Sequence, residues 1–88
     1  MKARYRKSFE RDVRKVGDRA VLARLAAALR AIEEAGSLMD VTGVRPLSGV
    51  PGLYRLRIGD YRLGIAVEGE VVEIVRFLHR REIYRYFP

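Results

Sequence analysis

Cysteine is absent from the 88 residues. Disulfides and thiolate metal sites are therefore excluded, and a reducing cytoplasm is compatible with the chain. Histidine occurs once, as His79. One imidazole and no thiol build neither a zinc motif nor a Ser-His-Asp arrangement. The carboxylates are few and scattered, with no spacing that would ligate a hard cation. No apolar run approaches the roughly 20 residues of a membrane-spanning helix. The basic start MKARYRKSFERDVRK lacks the apolar stretch of a signal peptide. These absences predict a soluble, cytoplasmic protein with no metal, no cofactor and no membrane attachment. Lysine is scarce as well: Lys2, Lys7 and Lys15 are the only three among 18 basic residues.

What is present is arginine. The formal net charge is +7 and the pI about 10.4, so a polyanion is the leading partner class. Guanidinium forks grip phosphate at two points, which lysine does not do. Codon usage in a GC-rich genome also raises arginine over lysine, but it explains neither the sign of the net charge nor where the arginines fall. Nearly half the residues are hydrophobic (49%), enough for one modest core, and residues 1–88 read as a single domain.

The chain opens on a short charged stretch, ARYRKSF, that suits a strand exposed on one face. Ser8 is placed to cap a short helix with Phe9, Val13 and Val16 on one stripe. Gly17 ends that helix and Asp18 caps the next. In DRAVLARLAAALRAIEEAG, Leu22, Leu25, Leu29 and Ile32 recur at helical spacing, alanine keeps the propensity high, and Gly36 is a fitting stop. The two helices should form a hairpin whose apolar stripe is core. SLMDVTGVRPLSGVPG reads as a loop; its GVPG lacks the ending and following helix of a phosphate-binding loop. Three strands follow, LYRLRI, YRLGIAV and VVEIVRFL, joined by two-residue turns at Gly59-Asp60 and Glu68-Gly69. The remainder, HRREIYRYFP, begins as strand and ends as a turn or short helix.

The first turn sets a register in which Arg57 opposes Arg62 and Arg55 opposes Gly64. Strand alternation then puts Tyr54, Leu56, Ile58, Tyr61, Leu63 and Ile65 against the helices, and Arg55, Arg57 and Arg62 on the opposite face. The second turn predicts Leu63 opposite Ile74 and Ile65 opposite Val72. It carries Glu73, Val75, Phe77 and His79 onto the arginine face, with Glu73 placed to neutralise Arg55. Gly64 and Ala66 lower the floor of that face. Opposed like charges cost about 0.2–1 kcal/mol per pair, so folding gains nothing from Arg57 beside Arg62, whereas a bound phosphate would make them a clamp.

RPLSGVPGLYRLRIGDYRLGIAVEGEVVEIVRFLHRREIYR resembles the RelE/ParE superfamily of bacterial and archaeal toxins of type II toxin–antitoxin modules. The resemblance rests on the combination of L-x-G-x-x-G, Y-R-x-R-x-G-D-Y-R and H-R-R-x-x-Y, and with the β-α-α-β-β-β order it covers nearly the whole chain. It implies an α+β fold with an antiparallel or mixed sheet and a helical hairpin on one face. It implies that the opposite, concave face cuts messenger RNA in the ribosomal A site. By the same resemblance, Arg55, Arg57 and Arg81 would hold RNA; Arg62 and Arg80 (with Arg81 as the alternative) would stabilise charge; Tyr84 would stack or aid proton transfer; and His79 would move a proton.

Such cleavage needs no metal: a 2′-hydroxyl attacks the adjacent phosphorus and expels the 5′-oxygen. A free tyrosine, with a pKa near 10, is a poor base without cationic neighbours, which Arg80, Arg81 and Arg85 would supply to Tyr84, and histidine is nearer neutrality unaided. Tyr84, Tyr86 and Phe87 also read as a packing cluster. The expected function is an mRNA endonuclease toxin acting on the ribosome and held in check by a cognate acidic antitoxin, through which alone it would meet DNA. The alternatives are a DNA gyrase poison like the ParE branch, without a nuclease site, and a degenerate toxin that only binds its antitoxin.

Overall fold

A computed structural model describes residues 1–88. The elements run β1 (Lys2–Tyr5), α1 (Lys7–Arg14), α2 (Arg19–Glu34), a 3₁₀ turn (Leu38–Asp40), β2 (Val44–Pro46), β3 (Leu53–Ile58), β4 (Tyr61–Glu68), β5 (Val71–His79) and α3 (Ile83–Tyr86). The strands form one sheet in the order β1-β5-β4-β3-β2. β1 lies parallel to β5 and every other pair is antiparallel. The α+β class and the helical hairpin are as expected.

α2 starts where the Asp18 carboxylate accepts the Val21 N–H (3.1 Å), the N-cap arrangement that satisfies an orphan amide. Its stripe buries Val21, Leu25 and Ile32. These meet Leu56, Ile58, Leu63, Ile65, Val72, Ile74 and Phe77 from the sheet in one core of 15 buried residues. α1 adds Phe9 and is followed by Val16. Ser8 caps nothing: its hydroxyl donates to the Val75 carbonyl (2.6 Å).

The stretch read as a loop holds a strand. β2 pairs with β3, placing Val44 opposite Leu56 and Arg45 opposite Arg55. Three residues ending in proline give too little alternation to be seen as a strand. The β3–β4 turn and register are as read, with Arg57 opposite Arg62. Gly59 has φ +60° and no non-glycine residue is positive, so glycine leads the turn, as a type II′ loop requires.

The β4–β5 register differs from expectation. The turn residues are Gly69-Glu70, with glycine again first (φ +62°), and Glu68 pairs with Val71. Ile65 therefore meets Ile74, a shift of two that preserves the faces. Then the ladder slips: Ile65 pairs with Ile74 but Gly64 pairs with Arg76. Val75 is one extra residue, a β-bulge, and beyond it the faces of β5 exchange. Phe77 lies opposite Leu63 in the core, not on the arginine face, and His79 follows it opposite Tyr61.

Candidate functional site

The arginine face is a row on three strands. Arg45, Arg55, Arg57 and Arg62 share it, since Arg45 opposes Arg55 and Arg57 opposes Arg62. Only three ion pairs form in the chain: Arg6–Glu73, Arg76–Asp12 and Arg80–Asp60. None of the four face arginines has a carboxylate partner. Glu73, expected to neutralise Arg55, instead opposes Ala66 and contacts Arg6 at 3.4 Å.

Arg62 is the centre of the group. It is 7% exposed, and its Nη1 donates to the carbonyls of Gly59 (3.0 Å) and Tyr61 (2.9 Å). Burial, and next the charge of Arg57, push its pKa below the ordinary arginine value. Tyr84 acts in the opposite sense, and Arg55 and Arg80 add further positive field. A buried cation surrounded by cations is costly unless an anion completes it. Arg80 is anchored at the same corner: its N–H donates to the Asp60 carbonyl (2.7 Å), and its Nε stands 3.8 Å from the Asp60 carboxylate, both side chains being mostly exposed. At that distance the pair leaves Arg80 available to another anion.

Tyr84 sits on α3 with 56% of its surface exposed. The helix is one turn long, and its first residue Ile83 and its C-cap Phe87 are buried outside the main core. Phe87 fills the hollow above Gly64, where a Cβ would stand 2.8 Å from its ring. The low floor anticipated at Gly64 is thus occupied by the chain's own aromatic ring, and of Tyr84, Tyr86 and Phe87 only Phe87 is a packing residue.

His79 is not in this group. The bulge turns it to the helix-facing side, where its ring meets Tyr61 edge-on (5.6 Å, 74°) and Tyr61 stacks on Phe77 (5.2 Å). Its Nδ1 accepts the Arg81 N–H (3.2 Å), which places any proton of the neutral ring on Nε2. Arg81 itself is exposed beyond the strand end. Arg45 and Asp12, together with its partner Arg76, escaped the sequence reading. Arg45 was hidden with β2. Asp12, on the β5-facing stripe of α1, is 5% exposed and takes three donors: Arg76 Nε (2.8 Å), Arg76 Nη2 (3.0 Å) and the Phe77 N–H (2.9 Å). An acid one residue before Val13, inside an otherwise apolar stripe, was the available signal. No group of three or more His, Cys, Asp or Glu side chains comes together, and no helix is long and apolar enough to cross a membrane.

A small sheet carrying a helical hairpin on one face and unpaired arginines with an exposed tyrosine on the other defines a recognisable class. Residues 3–84 match the family model of the ParE toxin of type II toxin–antitoxin systems. Over 89 aligned residues, covering all of both chains, the sequence is 34% identical to Toxin RelE3 of Methanocaldococcus jannaschii. The fold superposes on the RelB-RelE antitoxin-toxin complex from Methanococcus jannaschii with a TM-score of 0.82 and 31% identity, over 96% of this chain and 98% of that one. The archaeal RelE-RelB complex from Pyrococcus horikoshii OT3 gives 0.71 at 23% identity over 90% and 93% of the two chains, a likeness of fold. The chain belongs to the RelE/ParE superfamily of type II toxins. Its full-length likeness places it with toxins of the RelE kind rather than with the gyrase-directed alternative.

Proposed function

We propose that this toxin is a metal-independent mRNA endonuclease that works on the ribosome and is neutralised by a cognate acidic antitoxin. The observation that carries the reading is Arg62: a nearly buried guanidinium without a carboxylate, amid Arg57, Arg55, Arg80 and the exposed Tyr84. Arg45, Arg55 and Arg57 hold the RNA backbone. The 2′-hydroxyl loses its proton and attacks the adjacent phosphorus; the bond to the 5′-oxygen breaks and that oxygen is protonated. Arg62 and Arg80 stabilise the crowded phosphorane, and Tyr84 offers a ring for stacking and a hydroxyl for proton transfer. Removal of such a stabilising group costs about 10²–10³-fold in rate. His79, on the other side of the sheet, has no part in the step.

Two of the solved relatives are complexes with RelB antitoxins. A partner of the same kind suits a chain of charge +7: an acidic segment, disordered until it binds, complements it. Contact with DNA runs only through that complex. The test is cell-free translation of a defined message with mapping of new 5′-ends. Wild type should cut ribosome-bound message, and Arg62→Ala should not. Intact message with DNA gyrase stalled on its substrate would overturn the reading.

A further inference from the structure

β1 covers only the first part of β5, as far as Ile74. From Val75 onward the strand has no neighbour on that side, and α1 runs along it instead. There the Asp12 carboxylate replaces a strand carbonyl, accepting the Phe77 N–H (2.9 Å). The same carboxylate holds Arg76 at Nε and Nη2 (2.8 and 3.0 Å). Arg76 owes its place to the bulge, which sets it opposite Gly64 on the arginine face. The Asp12 hydrogen bond holds the Arg76 pKa above its ordinary value, against the opposing pull of burial.

The fixed guanidinium lies 5.2 Å from the ring centroid of Tyr86, a cation–π contact. Tyr86 closes α3, a helix of four residues. One turn has no stability of its own, so its seat must come from outside. Ile83 and Phe87 fix its depth. Both anchor one face of the turn, and Tyr86 adds a second hold off that face, on Arg76. At about 100° per residue, Tyr84 and Tyr86 leave the helix on nearly opposite sides, so a hold on one sets the direction of the other. We propose that Asp12 and Arg76 are positioning residues: acting through Tyr86, they set the rotation of α3 that brings Tyr84 to Arg62.

This inference rests on the ribonuclease reading for its kinetic readout but not for its spectroscopic one. Arg76→Lys keeps the charge and loses the fork; Tyr86→Leu removes the contact at a half-exposed site without touching the core. Each should lower kcat for message cleavage, Arg76→Lys by up to about 10²-fold, the scale of a reacting group misplaced by 1 Å. KM for programmed ribosomes should not change. In a Tyr84→Ala background neither substitution should lower kcat further. The chain has no tryptophan, so Tyr84→Trp reports on α3 alone. Adding Arg76→Lys or Tyr86→Leu should raise its acrylamide quenching while far-UV circular dichroism is unchanged. An unmoved tryptophan signal, or a kcat loss as large in the Tyr84→Ala background as in wild type, overturns the proposal. A moved signal in a protein that never cuts message sustains the positioning role and sinks the ribonuclease reading instead.

Discussion

Gly64→Ala is the sharpest test of how α3 is seated. The new Cβ would stand 2.8 Å from Cγ of Phe87 and 2.9 Å from Cδ1 and Cδ2. Carbon atoms in contact prefer about 3.5–4.0 Å, so the ring must retreat by about 0.7 Å or leave. Phe87 is 3% exposed, and forcing a methyl into such packing costs about 1–3 kcal/mol. Expelling the ring forfeits a burial of about 1.5–3 kcal/mol. Against either, replacing glycine inside a strand returns about 0.5–1 kcal/mol. The net expectation is a loss of about 1–2 kcal/mol, read as a lower urea midpoint by far-UV circular dichroism. Phe87→Ala removes the obstacle. In that background Gly64→Ala should stabilise by about 0.5–1 kcal/mol, leaving a coupling of about 2 kcal/mol, well above the additive limit. If Gly64→Ala is as stable as wild type, or if the two changes simply add, Phe87 does not occupy the hollow and α3 is seated otherwise.

Four further expectations concern other parts of the molecule. Asp12→Ala strands Arg76 and the Phe77 amide together and should cost about 3 kcal/mol by urea denaturation; a loss under 1 kcal/mol would mean that water replaces the carboxylate. Arg62→Met should end cleavage yet leave stability within about 1 kcal/mol of wild type or above it, since a repelled buried charge is removed, and sulfate should raise the thermal midpoint of wild type more than that of the variant. The salt dependence of single-stranded RNA binding should flatten by about 0.7 in log–log slope for each of Arg45→Ala, Arg55→Ala and Arg57→Ala; an unchanged slope for Arg45→Ala would remove it from the face. Tyr5 bonds Glu33, and burial together with that carboxylate pushes its pKa up to about 12. The folded state therefore holds this proton more tightly, so the contribution is complete below about pH 10, the unfolded value, and is lost on passing about 12. Tyr5→Phe should narrow the alkaline fall in stability, and identical alkaline curves would refute the bond.

The parts legible in the sequence are those where one local rule dominates. Asp18, the leucine stripe of α2 and the Gly59-Asp60 turn each act within a few residues, and from them come the hairpin, the β3–β4 register and the meeting of Arg57 with Arg62. The missed parts depend on choices between near-equal local options. Glu68-Gly69 and Gly69-Glu70 are both acceptable turns; the II′ preference for glycine in the first position decides between them. The bulge at Val75 has no glycine or proline to mark it, because its cause is tertiary: Ser8 bonds the Val75 carbonyl and Asp12 the Phe77 amide. That one inserted residue moved His79 and Phe77 to the other face, and with them the placement of a proton carrier. The turn placed Arg62 on the face, whereas Arg80 and Tyr84 were named from the family resemblance, because the seat of α3 depends on tertiary packing of Ile83 and Phe87. Arg45 was missed, since a three-residue strand shows no period.

The two outer strands carry a consequence for the free toxin. β1 offers four residues bearing Lys2 and Arg4, and β2 offers three that end at Pro46. Short, charged or proline-stopped borders are poor templates for another chain. The sheet thus withholds its backbone from strangers on both flanks. A molecule stripped of its antitoxin can stay dispersed while its cationic face is bare, and whatever approaches that face must be recognised by charge and shape instead of by strand pairing.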